Sequence, residues 1–100
     1  MNSVTVNYSV NQSYSVTESA FIQMVEQCIN DTNFIKLEHE PRIIFAKNQS
    51  NVSFVIDVRV KKNKSLYDVI NSFTEEFEKR FISLLDIKPE SLKVCFFGYY

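Results

Sequence analysis

Residues 4 to 16 alternate with period two. Val4, Val6, Tyr8, Val10, Tyr14 and Val16 take even positions, and Thr5, Asn7, Ser9, Asn11, Ser13 and Ser15 take odd ones. That alternation predicts a strand with one buried face. Asn11-Gln12-Ser13 can break it into a hairpin, but parity is kept across the break, so one long or bulged strand fits equally well. Thr17 then offers an N-cap and Glu18 suits the first turn of a helix. Phe21, Met24, Val25 and Cys28 recur at helical spacing, with Ile22 and Ile29 on the flank and Gln23, Glu26, Gln27 and Asn30 opposite. The helix is expected to stop near Asp31-Thr32-Asn33, and Phe34, Ile35 and Leu37 to follow as a short apolar segment plugging the core.

Glu38-His39-Glu40-Pro41-Arg42 reads as a loop, because the residue before proline avoids the helical region. Ile43 to Lys47 reads as a strand and Asn48 to Asn51 as a turn. Val52, Phe54, Ile56, Val58 and Val60 alternate with Ser53, Val55, Asp57 and Arg59, the clearest strand in the chain and the second arm of a hairpin. Ser65 and Asp68 have capping-box spacing. The helix after them carries Leu66, Ile70, Phe73, Phe77, Phe81 and Leu84 on one stripe, with Glu75–Lys79 and Glu76–Arg80 as i,i+4 pairs on the solvent side. Leu92, Val94 and Phe96 alternate with Lys93, Cys95 and Phe97 in a last strand.

The order β-α-β-β-α-β predicts one α+β domain over residues 1–100. It is a two-layer sandwich, with both helices on one face of a mixed or antiparallel sheet. The other face is expected to carry Ser53, Val55, Asp57, Arg59, Cys95 and Phe97, a mixed rather than polar set.

Composition narrows the function more than it names it. The chain has 100 residues, 45% hydrophobic and 14% aromatic, enough for a core of its own. Gly98 is the single glycine, which removes every glycine-rich phosphate loop. A net charge of −1 argues against a protein built to neutralise phosphates. His39 is the single histidine, so multi-histidine metal sites are excluded. Cys28 and Cys95 lie far apart in apolar stretches and read as reduced thiols. With no leader pattern and no long apolar run, a cytoplasmic protein without direct membrane insertion is expected.

The second half, from Val55-Ile56-Asp57-Val58-Arg59-Val60 through an amphipathic helix to Leu92-Lys93-Val94-Cys95-Phe96-Phe97-Gly98, resembles the alkaline shock family of envelope stress response proteins. Tyr14-Ser15-Val16-Thr17 leading into a helix extends the likeness to residues 8–98. Lys61-Lys62-Asn63-Lys64 stands where the family usually has a glycine, and Leu85-Asp86-Ile87 where it has Thr-Gly. These departures, with few alanines and plentiful Asn, Lys, Ile and Phe, suit a divergent, mycoplasma-like branch. The resemblance implies a non-enzymatic protein without cofactor that binds protein partners, can be held near the membrane by a separate anchor, and can assemble. It brings no catalytic residues.

The local clusters point the same way. Glu38 and Glu40 converge in an extended segment while His39 points away, which makes a solvated loop rather than a metal site. Cys28 on an apolar stripe would be a poor thiolate, and nothing near Cys95 in sequence would activate it. Lys61, Lys62 and Lys64 precede a helix N-terminus and carry the alternative function, a small RNA-binding module. The aromatic-glycine signature of such modules is missing from the strand that would bear it. The expected interaction residues are therefore Val55, Asp57, Arg59, Cys95 and Phe97, with Lys61, Lys62 and Lys64 in reserve. The expected partners are a second copy and another protein. In a two-fold dimer through the open face, Arg59 would meet Asp57 of the mate.

Overall fold

The structure, a computed structural model, describes residues 2–100. Its elements run β1 (Ser3–Ser9), β2 (Gln12–Thr17), α1 (Glu18–Asp31), β3 (Ile35–Leu37), β4 (Arg42–Phe45), β5 (Val52–Val60), α2 (Leu66–Leu85) and β6 (Ser91–Tyr99). This is the expected α+β arrangement, with both helices against one face of the main sheet. β5 is its spine. β3 and β4 lie end to end along one edge of β5, both antiparallel to it, and β6 runs parallel along the other. The sheet is thus mixed, and α2 makes the crossover that a parallel neighbour requires.

Period two on β5 sorts the molecule into layers. Val52, Phe54, Ile56, Val58 and Val60 are fully buried under the helices. Phe54 is the hub, with ring centroids 5.8 Å from Phe21, 4.8 Å from Phe77 and 5.7 Å from Phe81, all close to edge-to-face. That geometry suits the ring quadrupole and adds to the burial term. The buried stripe of α2 is Val69, Phe73, Phe77, Phe81 and Leu85, so Leu66, Ile70 and Leu84 sit on its flank rather than at its centre. Both helices start as expected: the Thr17 hydroxyl accepts from the Ala20 amide at 3.4 Å and the Ser65 hydroxyl from the Asp68 amide at 3.3 Å. Asp86 closes α2 in the left-handed region at φ 60°.

Four expectations change. Of the two forms left open for residues 4–16 the hairpin is the one taken, turning at Val10-Asn11 rather than at 11–13, and it makes its own two-stranded sheet instead of joining the main one. The alternation specified a strand face but not which strand it would meet. Residues 35–37 form an edge strand, while Phe34 turns outward with φ 69° and is exposed rather than core. The strand expected over 43–47 is Arg42–Phe45. Finally, Arg80 is not simply solvent-facing. It pairs with Glu76 at 2.7 Å and also reaches Asp31 at 2.8 Å, tying the end of α1 to the middle of α2. Among the described residues Glu75 and Lys79 form no ion pair.

Candidate functional site

Among the described residues, none forms a layer over the face of the main sheet away from the helices. This face is built from the odd positions of β5 and their ladder partners: Arg42 opposite Val55, Ile44 opposite Ser53, Lys36 opposite Arg59, Lys93 beside Val55 and Cys95 beside Asp57. The expected set Val55, Asp57, Arg59, Cys95 and Phe97 is therefore brought together here, and Lys61, Lys62 and Lys64 lie beyond the end of β5.

Asp57 is the centre of this face and 4% exposed. A carboxylate in that position needs partners, because burying an unpaired charge is costly. It has three contacts. One Nη2 of Arg42 donates to both carboxylate oxygens, at 2.8 and 3.0 Å. His39 Nδ1 lies 3.0 Å from Oδ2. The reason these reach Asp57 lies in the edge strand. Residues 38–41 interrupt β3 and β4 opposite Asp57, yet the Glu38 amide still donates to the Asp57 carbonyl at 2.8 Å. The interruption acts as a bulge, and bulges re-aim side chains. Pro41 cannot donate to the ladder, so it suits this gap. His39 thus folds across the open face instead of pointing away, and its ring meets Phe97 edge-on at 5.2 Å.

A second pair stands next to the first. Arg59 binds Glu38 through Nε and again through Nη2 at 3.4 Å. This hydrogen bond holds the Glu38 carboxyl below the usual carboxylate range and raises the guanidinium. Arg59 Nη1 also reaches the Tyr99 carbonyl at 3.5 Å, where β6 bulges at Gly98. Gly98 has φ 131°, a conformation that favours glycine, and a β-carbon there would stand 3.3 Å from Arg59 Nη1, so the guanidinium would have to give slightly. Asp57 and Arg59 are each neutralised inside one chain, so neither needs the mate that a two-fold pairing was expected to provide.

Around this cluster the surface is apolar and exposed: Ile44 is 57% exposed and Phe97 48%. Lys36, Arg42, Arg59 and Lys93 outnumber Glu38 and Asp57 on the face. The helices are the reverse, with Glu18, Glu26, Asp31, Asp68, Glu75, Glu76 and Glu78 against Lys79 and Arg80. A net charge near zero conceals a basic open face and an acidic helical one.

The three lysines of the turn form a separate group. Lys64 Nζ lies 4.2 Å and Lys61 Nζ 5.9 Å from the centre of the Phe34 ring, and Lys36 Nζ sits 4.5 Å above Tyr100. The Cys28 thiol, buried on α1, is pushed up by desolvation. Cys95 is half-buried beside Asp57, and both cysteines are free. Among the described residues no three His, Cys, Asp or Glu side chains converge as metal ligands. Among the described residues no helix is long and apolar enough to cross a membrane. An apolar groove of about 440 Å³ between α2 and β6, lined by Leu66, Ile70, Val94 and Phe96, holds no charged group to orient a substrate.

No protein-family model, curated protein or solved structure matches the chain.

The sequence reading placed Glu38 and His39 in a solvated loop rather than on this face, and left out Arg42 and Ile44. A signal for two of them existed. Once the second hairpin is registered, Arg42 and Ile44 fall on the same parity as Val55 and Ser53, away from the helices. The fold-over of His39 had no such signal, because it depends on where the bulge sits relative to Asp57.

Proposed function

We propose that this is a non-enzymatic binding protein that acts by protein–protein contact through the open sheet face. The observation that carries it is the combination at that face: exposed Phe97 and Ile44 set among ordered, internally neutralised charges with a cationic excess. Both Asp57 oxygens are engaged, so the carboxylate positions Arg42 and His39 on this face. Apolar anchors ringed by satisfied polar groups are what a recognition surface needs. The cationic excess selects a partner protein with an acidic surface. The likeness of residues 8–98 to the alkaline shock family supports the same class of role, in stress response and near the membrane through a separate anchor.

A photo-crosslinking side chain at Ile44, with Ser72 on α2 as control, tests this in living cells. The expected result is a discrete protein adduct at position 44 that disappears with Phe97→Glu. Equal labelling at both positions, or none at 44, refutes the reading.

The second reading, single-stranded RNA, is favoured by one observation, the cations over Phe34 and Tyr100. Stacked aromatics beside basic groups are how such strands are held. Low-micromolar, salt-dependent RNA binding lost on changing Lys61, Lys62 and Lys64 to Gln would promote it above the first.

A further inference from the structure

The first seventeen positions contain no Asp, Glu, Lys or Arg, so all the charged residues of the chain lie between Glu18 and Lys93. Those seventeen positions include the β1–β2 hairpin, which among the described residues has no third strand on either side. One end is anchored. Val4 and Val16 are buried, and the Tyr14 hydroxyl donates to the Leu84 carbonyl at the end of α2. The other end stands clear: Val10 at the turn is fully exposed and Tyr8 is 61% exposed. β2 runs into α1, which leaves β1 as the outer strand.

A two-stranded ribbon is marginal by itself, and its unpaired backbone groups invite another strand. Proteins guard such edges with charge, proline or bulges. The main sheet does so on both sides. The β3–β4 edge has Lys36, Arg42 and the interruption at Pro41, and β6 has Lys93 and the Gly98 bulge. The hairpin has neither charge nor proline, and its one irregularity, between Asn7 and Ser9, is next to the turn.

We infer that β1 adds edge to edge to β1 of a second copy, antiparallel about a two-fold axis, making a four-stranded sheet of two hairpins. An uncharged strand offers a foreign charged partner nothing to recognise, whereas it meets its own image without repulsion. In any register centred on a residue, even positions face even positions, so apolar and polar faces both match. With the axis on Val6, Val6 meets Val6 of the second copy, and Thr5 and Asn7 form the polar cross-strand pairs. The inference is independent of the open face.

Sedimentation equilibrium across a concentration series, with the wild type, Thr5→Lys/Asn7→Lys and Phe97→Glu, tests it. The wild type is expected to dimerise. The lysine variant places like charges opposite one another across the axis and should weaken dimerisation at least tenfold, with an unchanged circular dichroism spectrum. Phe97→Glu should leave it within twofold, which separates this surface from the open face. Amide hydrogen exchange of the wild type supplies a measurement free of mutation: β1 amides should gain protection on concentration. A wild type that stays monomeric to about 500 μM, dimerisation that survives the lysines, or dimerisation lost with Phe97→Glu overturns the inference.

Discussion

Replacing Asp57 by valine separates two roles a buried ion cluster can have. The carboxylate accepts two hydrogen bonds from Arg42, at 2.8 and 3.0 Å, and lies 3.0 Å from His39. Hydrogen bonds to charged groups contribute about 1.5–3 kcal/mol each. Against this stands the desolvation of the carboxylate, several kcal/mol per ion even after relaxation. Usually, removing one partner of a buried pair is severe because the other is left charged and dry. Here the partners are wet: the side chains of Arg42 and His39 are 59% and 57% exposed. Both can return to water when Asp57 is gone. Valine adds a β-branched side chain that suits a strand and gains about 1.5–2 kcal/mol by burial. The expected net change is therefore within about 1 kcal/mol of zero, small beside the roughly 5–15 kcal/mol of a typical domain. Urea unfolding followed by circular dichroism measures it, as a midpoint shift at constant m. The same variant should lose the crosslink at Ile44, because Arg42 and His39 no longer have a fixed point. A loss above about 3 kcal/mol, the penalty of an uncompensated buried charge, would show that the cluster stabilises the fold and refute the reasoning.

Phe77→Ala should cost about 3–5 kcal/mol in the same assay, because the fully buried ring meets Phe54 edge-to-face at 4.8 Å. Exposed Glu75→Ala should stay under about 0.5 kcal/mol, and equal losses would mean the helix faces the other way. Acid should destabilise the fold through two carboxyls. Arg59 holds Glu38, and Arg80 holds Asp31, below the ordinary carboxylate range. The unfolded chain therefore binds their protons first, so this stability is present above the ordinary carboxylate value of about 4 and is lost as pH falls from there through the lower folded values. Thermal melts from pH 7 to 3 should slope less in Glu38→Gln/Asp31→Asn, and an unchanged slope would assign the acid sensitivity elsewhere.

The parts of this fold legible in the sequence are those decided by local periodicity. The even positions of β5 and the phenylalanine stripe of α2 announce their buried faces because each element has one dominant partner, the other layer. Thr17 and Ser65 announce helix starts because a cap is a contact within three residues. Phe34 misleads for the opposite reason. Its hydrophobicity suggests core, but the chain must reverse between α1 and β3. That reversal takes a left-handed residue, whose side chain then points out toward Lys61 and Lys64. The hairpin misleads in another way. Period two reports that Val4 and Val16 are covered but carries no information about whether the cover is a neighbouring strand or a pair of helices.

The open face shows where local reading stops. Asp57 in the middle of an apolar alternation is visibly odd, and oddness marks a position worth explaining. Its partners come from fifteen and eighteen residues away, at Arg42 and His39, across a bulge whose position no periodicity encodes. A charged residue placed at a strand centre is tolerable only if the neighbouring edge strand breaks register beside it and drops partners onto it. Pro41 is the sequence trace of that break. It prevents the edge from pairing continuously along β5, which would carry Arg42 and His39 past the carboxylate. The prolyl ring and the aspartate are thus two halves of one device. Restoring a continuous edge while keeping Asp57 would strand its charge, whereas removing Asp57 leaves the bulge with nothing to hold.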